Sequence, residues 1–242
     1  MLHLARKIRG AAIRATDGEI GSVEDFFFEE DRWTVRYILV DTGRWFSGKR
    51  VLLSPMSVQP RWNRGELRVT LTKEEVWNSP QAETHALSRA TEAEVLKYYG
   101  YPAYWGAPGI WGAFETPAAL MAAPVSPPPT AGPVVDLEAQ HLRGAIASTG
   151  YHLHAADGEI GHVDDFLIGE ESWRIRYLLV DTSNWIGGKS VIVLTELVKR
   201  IDRTHGTLHV EATRDEIRSS RPFESIEAAV GPAETGPGII LI

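Results

Sequence analysis

Three groups of side chains in this sequence have the types and spacing for chemistry. The first is a doubled set of carboxylates, Asp17, Glu19, Glu24 and Asp25, matched by Asp157, Glu159, Asp164 and Asp165. Hard oxygen ligands of this kind suit a divalent cation. However, Asp17 stands before Gly18 as turn residues do, and strand alternation sends Glu24 and Asp25 to opposite faces, so no shared metal is expected. The second group is His152-Leu153-His154, two imidazoles on one strand face at a spacing zinc tolerates. The positions 140 residues earlier hold Ala12 and Arg14, which cannot make such a site. Tyr151, Leu153 and Ala155 form the expected core face, and a solvated histidine pair titrating near neutrality is expected. The third group is a loop carrying Asp41, Trp45 and Lys49, and again Asp181, Trp185 and Lys189. Each Asp and Lys are placed to form an exposed ion pair across the loop base, worth about 0 to 1 kcal/mol. Each Trp either folds back over its own domain or projects as an anchor, the residue type over-represented among interface hot spots.

These groups come in pairs because the chain is duplicated. From 17 to 53, 20 of 37 positions are identical to the residue 140 places later. After one inserted residue, Gly65 matches Gly206, GELRV matches GTLHV, and Thr72-Lys73-Glu74-Glu75 matches Thr213-Arg214-Asp215-Glu216. The two tetrapeptides are capping boxes and predict short helices after each copy.

The elements that must position these groups are short strands. AAIRAT, Asp17-Gly18 and EIGSVEDFFF predict a β-hairpin with a type I′ turn, and Gly21 predicts a bulge. WTVRYILVD is the clearest strand: Trp33, Val35, Tyr37 and Leu39 are expected on one continuously apolar face, and Thr34, Arg36, Ile38 and Val40 on a partly wet one. RVLLS and ELRVT complete about five or six strands, a pattern of small barrels or sandwiches.

Between the copies the composition changes. Thr91-Glu92-Ala93-Glu94 reads as a capping box opening a helix that Gly100 ends. Tyr98, Tyr99, Tyr101, Tyr104, Trp105 and Trp111 follow closely, an aromatic area that must pack on a domain or a partner. Eight of the 14 prolines lie between 102 and 133, which predicts an extended polyproline-like linker. The domain boundaries expected are 1–80 for a first module, 81–133 for helix, aromatic segment and linker, 134–230 for a second module, and 231–242 for a tail without assigned structure.

Composition narrows the function. A net charge of −7 disfavours a phosphate-tracking surface, so direct nucleic-acid binding is not expected. With no cysteine, disulfides, thiolate catalysis and Cys-ligated metal are excluded. The basic start MLHLARKIRGAAI lacks the apolar core of a signal peptide, and no run of about 20 apolar residues exists to span a bilayer, so the expected location is the cytoplasm. No Gly-rich phosphate loop, GxSxG elbow or HExxH pattern appears.

The doubled pattern DGEIGxVxDFxxxxxxWxxRYLxVDTxxWxxGKxV resembles the PRC-barrel family, small β-barrel modules found in the photosynthetic reaction centre H subunit and in a ribosome maturation factor. The segment YYGYPAYWG is similar to the stretch after the first module in bacterial proteins carrying two such domains. The resemblance covers roughly residues 4 to 80 and 141 to 222. It implies an all-β fold of two tandem PRC-type barrels, no catalytic activity, no cofactor and a role in protein contacts. The reading it supports is a non-catalytic cytoplasmic adaptor or assembly module for protein partners, with the two copies forming an internal pseudo-dimer or the chain a homo-oligomer. Trp45, Lys49, Trp185, Lys189, Asp41, Asp181, Tyr101, Tyr104 and Trp105 are its candidate contact residues. An RNA- or ribosome-associated factor, and a ligand binder or enzyme with a pocket between barrels, are the alternatives.

Overall fold

The alternating stretches of both copies are strands in the computed structural model, which describes residues 1–43, 48–60, 62, 65–80, 87–124, 142–182 and 188–230. In chain order the first copy gives β1 (Leu2–Leu4), α1 (Ala5–Ile8), β2 (Ala12–Ala15), β3 (Gly18–Glu29), β4 (Thr34–Asp41), β5 (Arg50–Leu53), β6 (Glu66–Arg68) and α2 (Lys73–Trp77). Helices α3 (Arg89–Tyr99) and α4 (Pro117–Ala122) come next. The second copy gives β7 (Leu142–Gly144), β8 (His152–Ala155), β9 (Gly158–Gly169), β10 (Ile175–Asp181), β11 (Ser190–Leu194), β12 (Val198–Asp202), β13 (Thr207–Val210), α5 (Arg214–Ser219) and α6 (Ile226–Val230).

The chain divides into two compact units. The first-repeat unit comprises Lys7–Gly144 with Glu170–Arg174. Its sheet runs β5-β4-β3-β2-β6, and only the β2–β6 pair is parallel. Directly opposed residues share a face, so Phe26, Ile38 and Leu53 line one side together with Val23, Val40 and Val51. Phe27 with Tyr37, and Leu39 with Leu52, line the other, where Leu87, Val95, Tyr99 and Leu142 cover them. A strand covered on both faces reads as a nearly continuous apolar run, as β4 does.

The second-repeat unit comprises Met1–Arg6, Ala145–Gly169 and the chain from Ile175 onward. Its sheet runs β11-β10-β9-β8-β13-β12, with the same opposed rows: Phe166, Leu178 and Val193, then Val163, Val180 and Val191. Its second face, Leu167, Tyr177, Leu179 and Ile192, packs with Leu2 and Leu4 and is partly covered by Phe223, Ile226 and Ala229.

Each unit takes its leading strand from the other repeat. β1 pairs with β9, Leu2 against Gly169 and Leu4 against Leu167. β7 pairs with β3, Leu142 against Glu29 and Gly144 against Phe27. Adding 140 to each residue of the β1 strand gives β7, and adding 140 to its partner's equivalent on β3 gives β9, so the exchange is reciprocal and in the same register. The first-repeat unit also takes the β9–β10 turn. There the Trp111 indole donates to the Ser172 carbonyl at 2.7 Å, the Val35 N–H donates to the Trp173 carbonyl at 2.8 Å, and the Trp62 and Trp173 rings lie 4.6 Å apart.

Neither sheet closes on itself. After β5 the chain enters a 3-10 turn, Pro55–Ser57, before Gln59 and Ser57 bond to Arg68 and Thr70 beside β6. Pro55 has no N–H to continue the ladder. In the second repeat the turn Thr195–Leu197 separates the edge strands β11 and β12 in the same way. The expected all-β character is therefore present, but as two open sheets rather than closed barrels.

Four local expectations change. The hairpin has a two-residue loop, but it is Thr16-Asp17, with Ala15 opposite Gly18, and neither loop residue takes the positive φ a type I′ turn needs; Gly18 does, at 139°. The β3–β4 register slips so that Phe27 faces Tyr37 and Phe28 faces Val35, which makes Arg36 the extra residue of a bulge and breaks the phase assumed for Val35 and Tyr37. Arg36 is wholly buried rather than on a wet face. Helix α3 starts at Arg89, capped by the Ser88 hydroxyl, because Ser88 accepts from the Thr91 N–H and so displaces Thr91 as the cap. Residues 102–124 are packed rather than extended: Trp111 and Tyr104 are buried, and α4 is capped by Thr116. The remainder of the expected linker, and the tail from 231, lie outside the described residues. The bulge at Gly21 is present, with the register slipping between Ile13 and Arg14.

Candidate interaction site

The repeated loop was the sequence's leading site, and its base is built identically in both copies. The Thr42 hydroxyl and N–H both donate to the Lys49 carbonyl, at 2.6 and 3.2 Å; Thr182 repeats this on Lys189 at 2.7 and 3.0 Å. Lys49 turns away from Asp41: its Nζ donates to the Trp77 and Ser79 carbonyls, at 2.7 and 2.8 Å, at the end of α2. Lys189 likewise donates to the Ser220 carbonyl past α5. A cation at the carbonyl end of a helix satisfies orphan acceptors and the helix dipole together. Burial lowers the Lys49 pKa from its ordinary value. Asp41 accepts from the Gly43 N–H at 2.8 Å, and Asp181 lies 3.8 Å from His162. Trp45 and Trp185 lie outside the described residues.

The repeated carboxylates are likewise engaged. Asp17 accepts from the Lys73 N–H at the start of α2, and Asp157 from the Arg214 N–H at the start of α5, both at 2.8 Å. Asp25 and Asp165 accept from the next residue's N–H, at 2.6 and 2.8 Å. Glu24 pairs with Arg50 at 2.7 Å. Gly21 and Gly161 allow the carbonyls of Asp41 and Asp181 to pass where a Cβ would sit only 2.2 and 2.1 Å from them.

The histidines sit in a row across adjacent strands of the second-repeat unit. His154 is opposite Glu159 on one side and His209 on the other, and Arg200 is opposite His209. His152 bonds Glu159 at 2.8 Å, the His154 and His209 rings are 5.3 Å apart, and His209 Nε2 lies 2.9 Å from Arg200. An arginine only donates, so His209 Nε2 accepts and its proton is on Nδ1. Burial first, then Arg200 and His154, lower the His209 pKa. Among the described residues no group of three or more metal-ligating side chains is placed to hold an ion.

The aromatic candidates enclose a buried charge cluster that sequence reasoning did not assemble. Arg36 bonds Glu29 at 3.1 and 2.5 Å and the Ile110 carbonyl at 2.6 Å. Its guanidinium stacks 3.9 Å from the Tyr104 ring centre and 4.8 Å from that of Trp111. Arg89 reaches Glu29 at 3.2 Å, Glu92 at 3.1 Å and the Tyr104 hydroxyl at 2.8 Å, while Trp105 lies against it and Tyr104 donates to Glu92. Burial, then Glu92, push the Tyr104 pKa well up. Tyr101 stacks on Tyr99, and burial raises its pKa to about 12. The signal for this cluster was present: one arginine in the middle of an apolar strand, and an Arg-Glu pair three apart on the helix that opens the aromatic segment.

A family model for the PRC-barrel domain matches residues 2–73 and again 153–217. The chain belongs to the PRC-barrel family. Both matched stretches coincide with the repeats, so the PRC-barrel pattern accounts for the Thr42/Thr182 loop base, the Asp17/Asp157 helix caps and the Gly21/Gly161 bulges alike. The cluster around Arg36 joins the first PRC-barrel repeat to the segment 87–111, which lies outside both matches. No curated protein matches the chain. Among the described residues no helix is long and apolar enough to cross a membrane.

Proposed function

We propose that this chain is a non-catalytic assembly module that displays two PRC-barrel repeats to protein partners. The observation that supports this is how the repeated polar residues are used. Asp17 and Asp157, Thr42 and Thr182, Lys49 and Lys189, and Asp25 and Asp165 make corresponding internal bonds in both copies. Each of these groups thus has a structural use within its own unit, closing a turn, a loop base or a helix end. What the copies share is a scaffold, as suits a display role.

Cross-linking in the native cell, with the full chain carrying a photo-reactive residue at exposed positions of either repeat, tests this reading. A defined heterologous protein linked at one face is the expected result. Native mass spectrometry of the chain from its source finding a tightly held small molecule, with no protein linked, would replace it by the ligand-binding alternative.

A further inference from the structure

The parallel strands β2 and β6 carry a self-contained charge cluster. Arg14 and Arg68 stand side by side, and the Glu66 carboxylate bridges them, accepting from the Arg14 Nε at 2.8 Å with one oxygen and from the Arg68 Nε at 2.7 Å with the other.

The second-repeat unit keeps the register and changes the chemistry. β8 and β13 set His154 beside His209 as β2 and β6 set Arg14 beside Arg68. Thr207 stands in the place of Glu66 (207 − 66 = 141), and its hydroxyl bonds the His205 carbonyl at 3.3 Å. Two permanent cations have become two titratable ones, and the carboxylate between them is gone. Leu153 and Leu208 are buried on the inner side of these strands, so by alternation both imidazoles lie on the outer one.

The carboxylates already nearby are engaged elsewhere. Glu159 bonds His152 at 2.8 Å and stays 3.8 Å from His154. Asp202 accepts from the Thr204 and His205 N–H groups and contacts the His205 ring, each at 3.1 Å, and lies 3.9 Å from Arg200. While His209 is neutral, its Nε2 accepts from Arg200. Once protonated it can only donate, as Arg200 does, so the row His154, His209 and Arg200 then holds three cations and no acceptor. With the imidazoles neutral, one arginine faces two carboxylates. With His152, His154, His205 and His209 protonated, five cations face the same two, and the patch changes sign.

We propose that on acidification His154 and His209, with Arg200, bind a carboxylate from an acidic segment of a protein partner, in the place that Glu66 fills in the first repeat. The inference rests on the protein-partner reading above and gives it a site and a pH gate. Glu66 defines the chemistry of the occupant, since one carboxylate satisfies both side chains of the pair when they are arginines. Between two imidazolium groups it makes charge-assisted hydrogen bonds to each. Imidazoles also change charge in a range where a partner's Asp and Glu stay ionised.

The test uses the full chain and a hexaglutamate peptide carrying tetramethylrhodamine, followed by anisotropy at pH 5.5 and pH 7.5 at one ionic strength. Saturable binding at least tenfold tighter at pH 5.5 is expected. His154→Ala with His209→Ala should remove that gain, with circular dichroism unchanged. His154→Arg with His209→Arg should bind about equally at both pH values, and adding Thr207→Glu, which rebuilds the first repeat's cluster, should abolish the binding again. Absence of binding at pH 5.5, or a pH dependence that survives in the double alanine variant, overturns the proposal. Displacement by inorganic phosphate at the concentration at which unlabelled hexaglutamate displaces also overturns it, since the row is then a general anion site. A photo-reactive residue at His152 distinguishes the two levels: a partner cross-linked from other faces but never from 152 removes this site and leaves the assembly reading standing.

Discussion

The Arg36 guanidinium meets the Glu29 carboxylate at 2.5 Å, and neither side chain is exposed by more than 9 %. Taking both charges out of water costs several kcal/mol per ion, so the pair is a specificity device more than a source of stability. Its satisfied geometry, with Ile110, Tyr104 and Arg89 completing the shell, fixes how the segment 87–111 lies on β3 and β4.

Breaking the pair from one side leaves an uncompensated buried charge. Arg36→Ala and Glu29→Ala should each destabilise the first-repeat unit by about 3 to 5 kcal/mol, read as a lower urea midpoint in tryptophan fluorescence. Arg176→Ala, at the half-buried counterpart where Gly169 stands in the place of Glu29, should cost clearly less. Equal losses at the two arginines would contradict the asymmetry.

Gly21 and Gly161 should tolerate no side chain. Alanine at either would put its Cβ against a backbone carbonyl, and overpacking of this kind costs about 1 to 3 kcal/mol or more. Gly10 has a left-handed φ of 81° but open space around it, so Gly10→Ala should cost only about 1 to 2 kcal/mol. Thermal melts of the three variants give the ranking.

Acid should act on Glu29 and Asp165 in opposite directions. Burial raises the Glu29 pKa, but Arg36, Arg89 and Arg32 outweigh it and hold the carboxyl below its ordinary value. Its stabilisation is present above the unfolded pKa, about 4.3, and is lost as pH falls through the lower folded value. Asp165 is the reverse: burial raises its pKa, against the Phe166 and Arg6 amides and the Arg6 charge. Its charged form is the one disfavoured in the fold, so the penalty Asp165 imposes is relieved as pH falls through the raised value toward about 3.9. Hydrogen exchange followed from pH 7 to 3 should show β3 and β4 losing protection first. Asp165→Asn should flatten the response of β9 and leave that of β3 unchanged.

His209 should titrate below the ordinary value of about 6.5. Because its neutral form accepts from Arg200, the stabilisation it gives is present above the unfolded pKa and is lost as pH falls through the folded one. Nitrogen-15 chemical shifts of the imidazole locate the midpoint and the Nδ1–H tautomer. Arg200→Ala should raise the midpoint; an unmoved midpoint would separate the shift from that contact.

Much of the scaffold was legible because it rests on local rules. The capping boxes at Thr72 and Thr213 are formed as their spacing predicts, with Glu75 and Glu216 returning the bond to the cap. Gly100 ends α3 in the left-handed conformation. What could not be read depends on partners distant in sequence. Trp33 and Trp173 open their strands with φ of 49° and 60°, a conformation bulky residues avoid. Trp33 is stacked on Phe28 at 5.2 Å, and Trp173 lies against Trp62. Arg36 looked solvent-facing because period-two alternation carries no knowledge of a bulge or of Tyr104 and Trp111 arriving from 68 and 75 residues away (104 − 36 = 68; 111 − 36 = 75). Lys49 looked like a partner for Asp41 because only the fold brings the end of α2 to it.

The reciprocal exchange of leading strands sets a timetable for synthesis. Leu2 and Leu4 leave the ribosome well before the strand they pair with, which ends at Gly169. At about 5 to 20 residues per second, Leu2 and Leu4 must wait roughly 10 to 30 s for their partner. The sheet of the first repeat has no such wait from its own start, but it lacks Leu142–Gly144 until the second repeat has begun to emerge. Neither repeat can finish folding while it is the only one outside the ribosome.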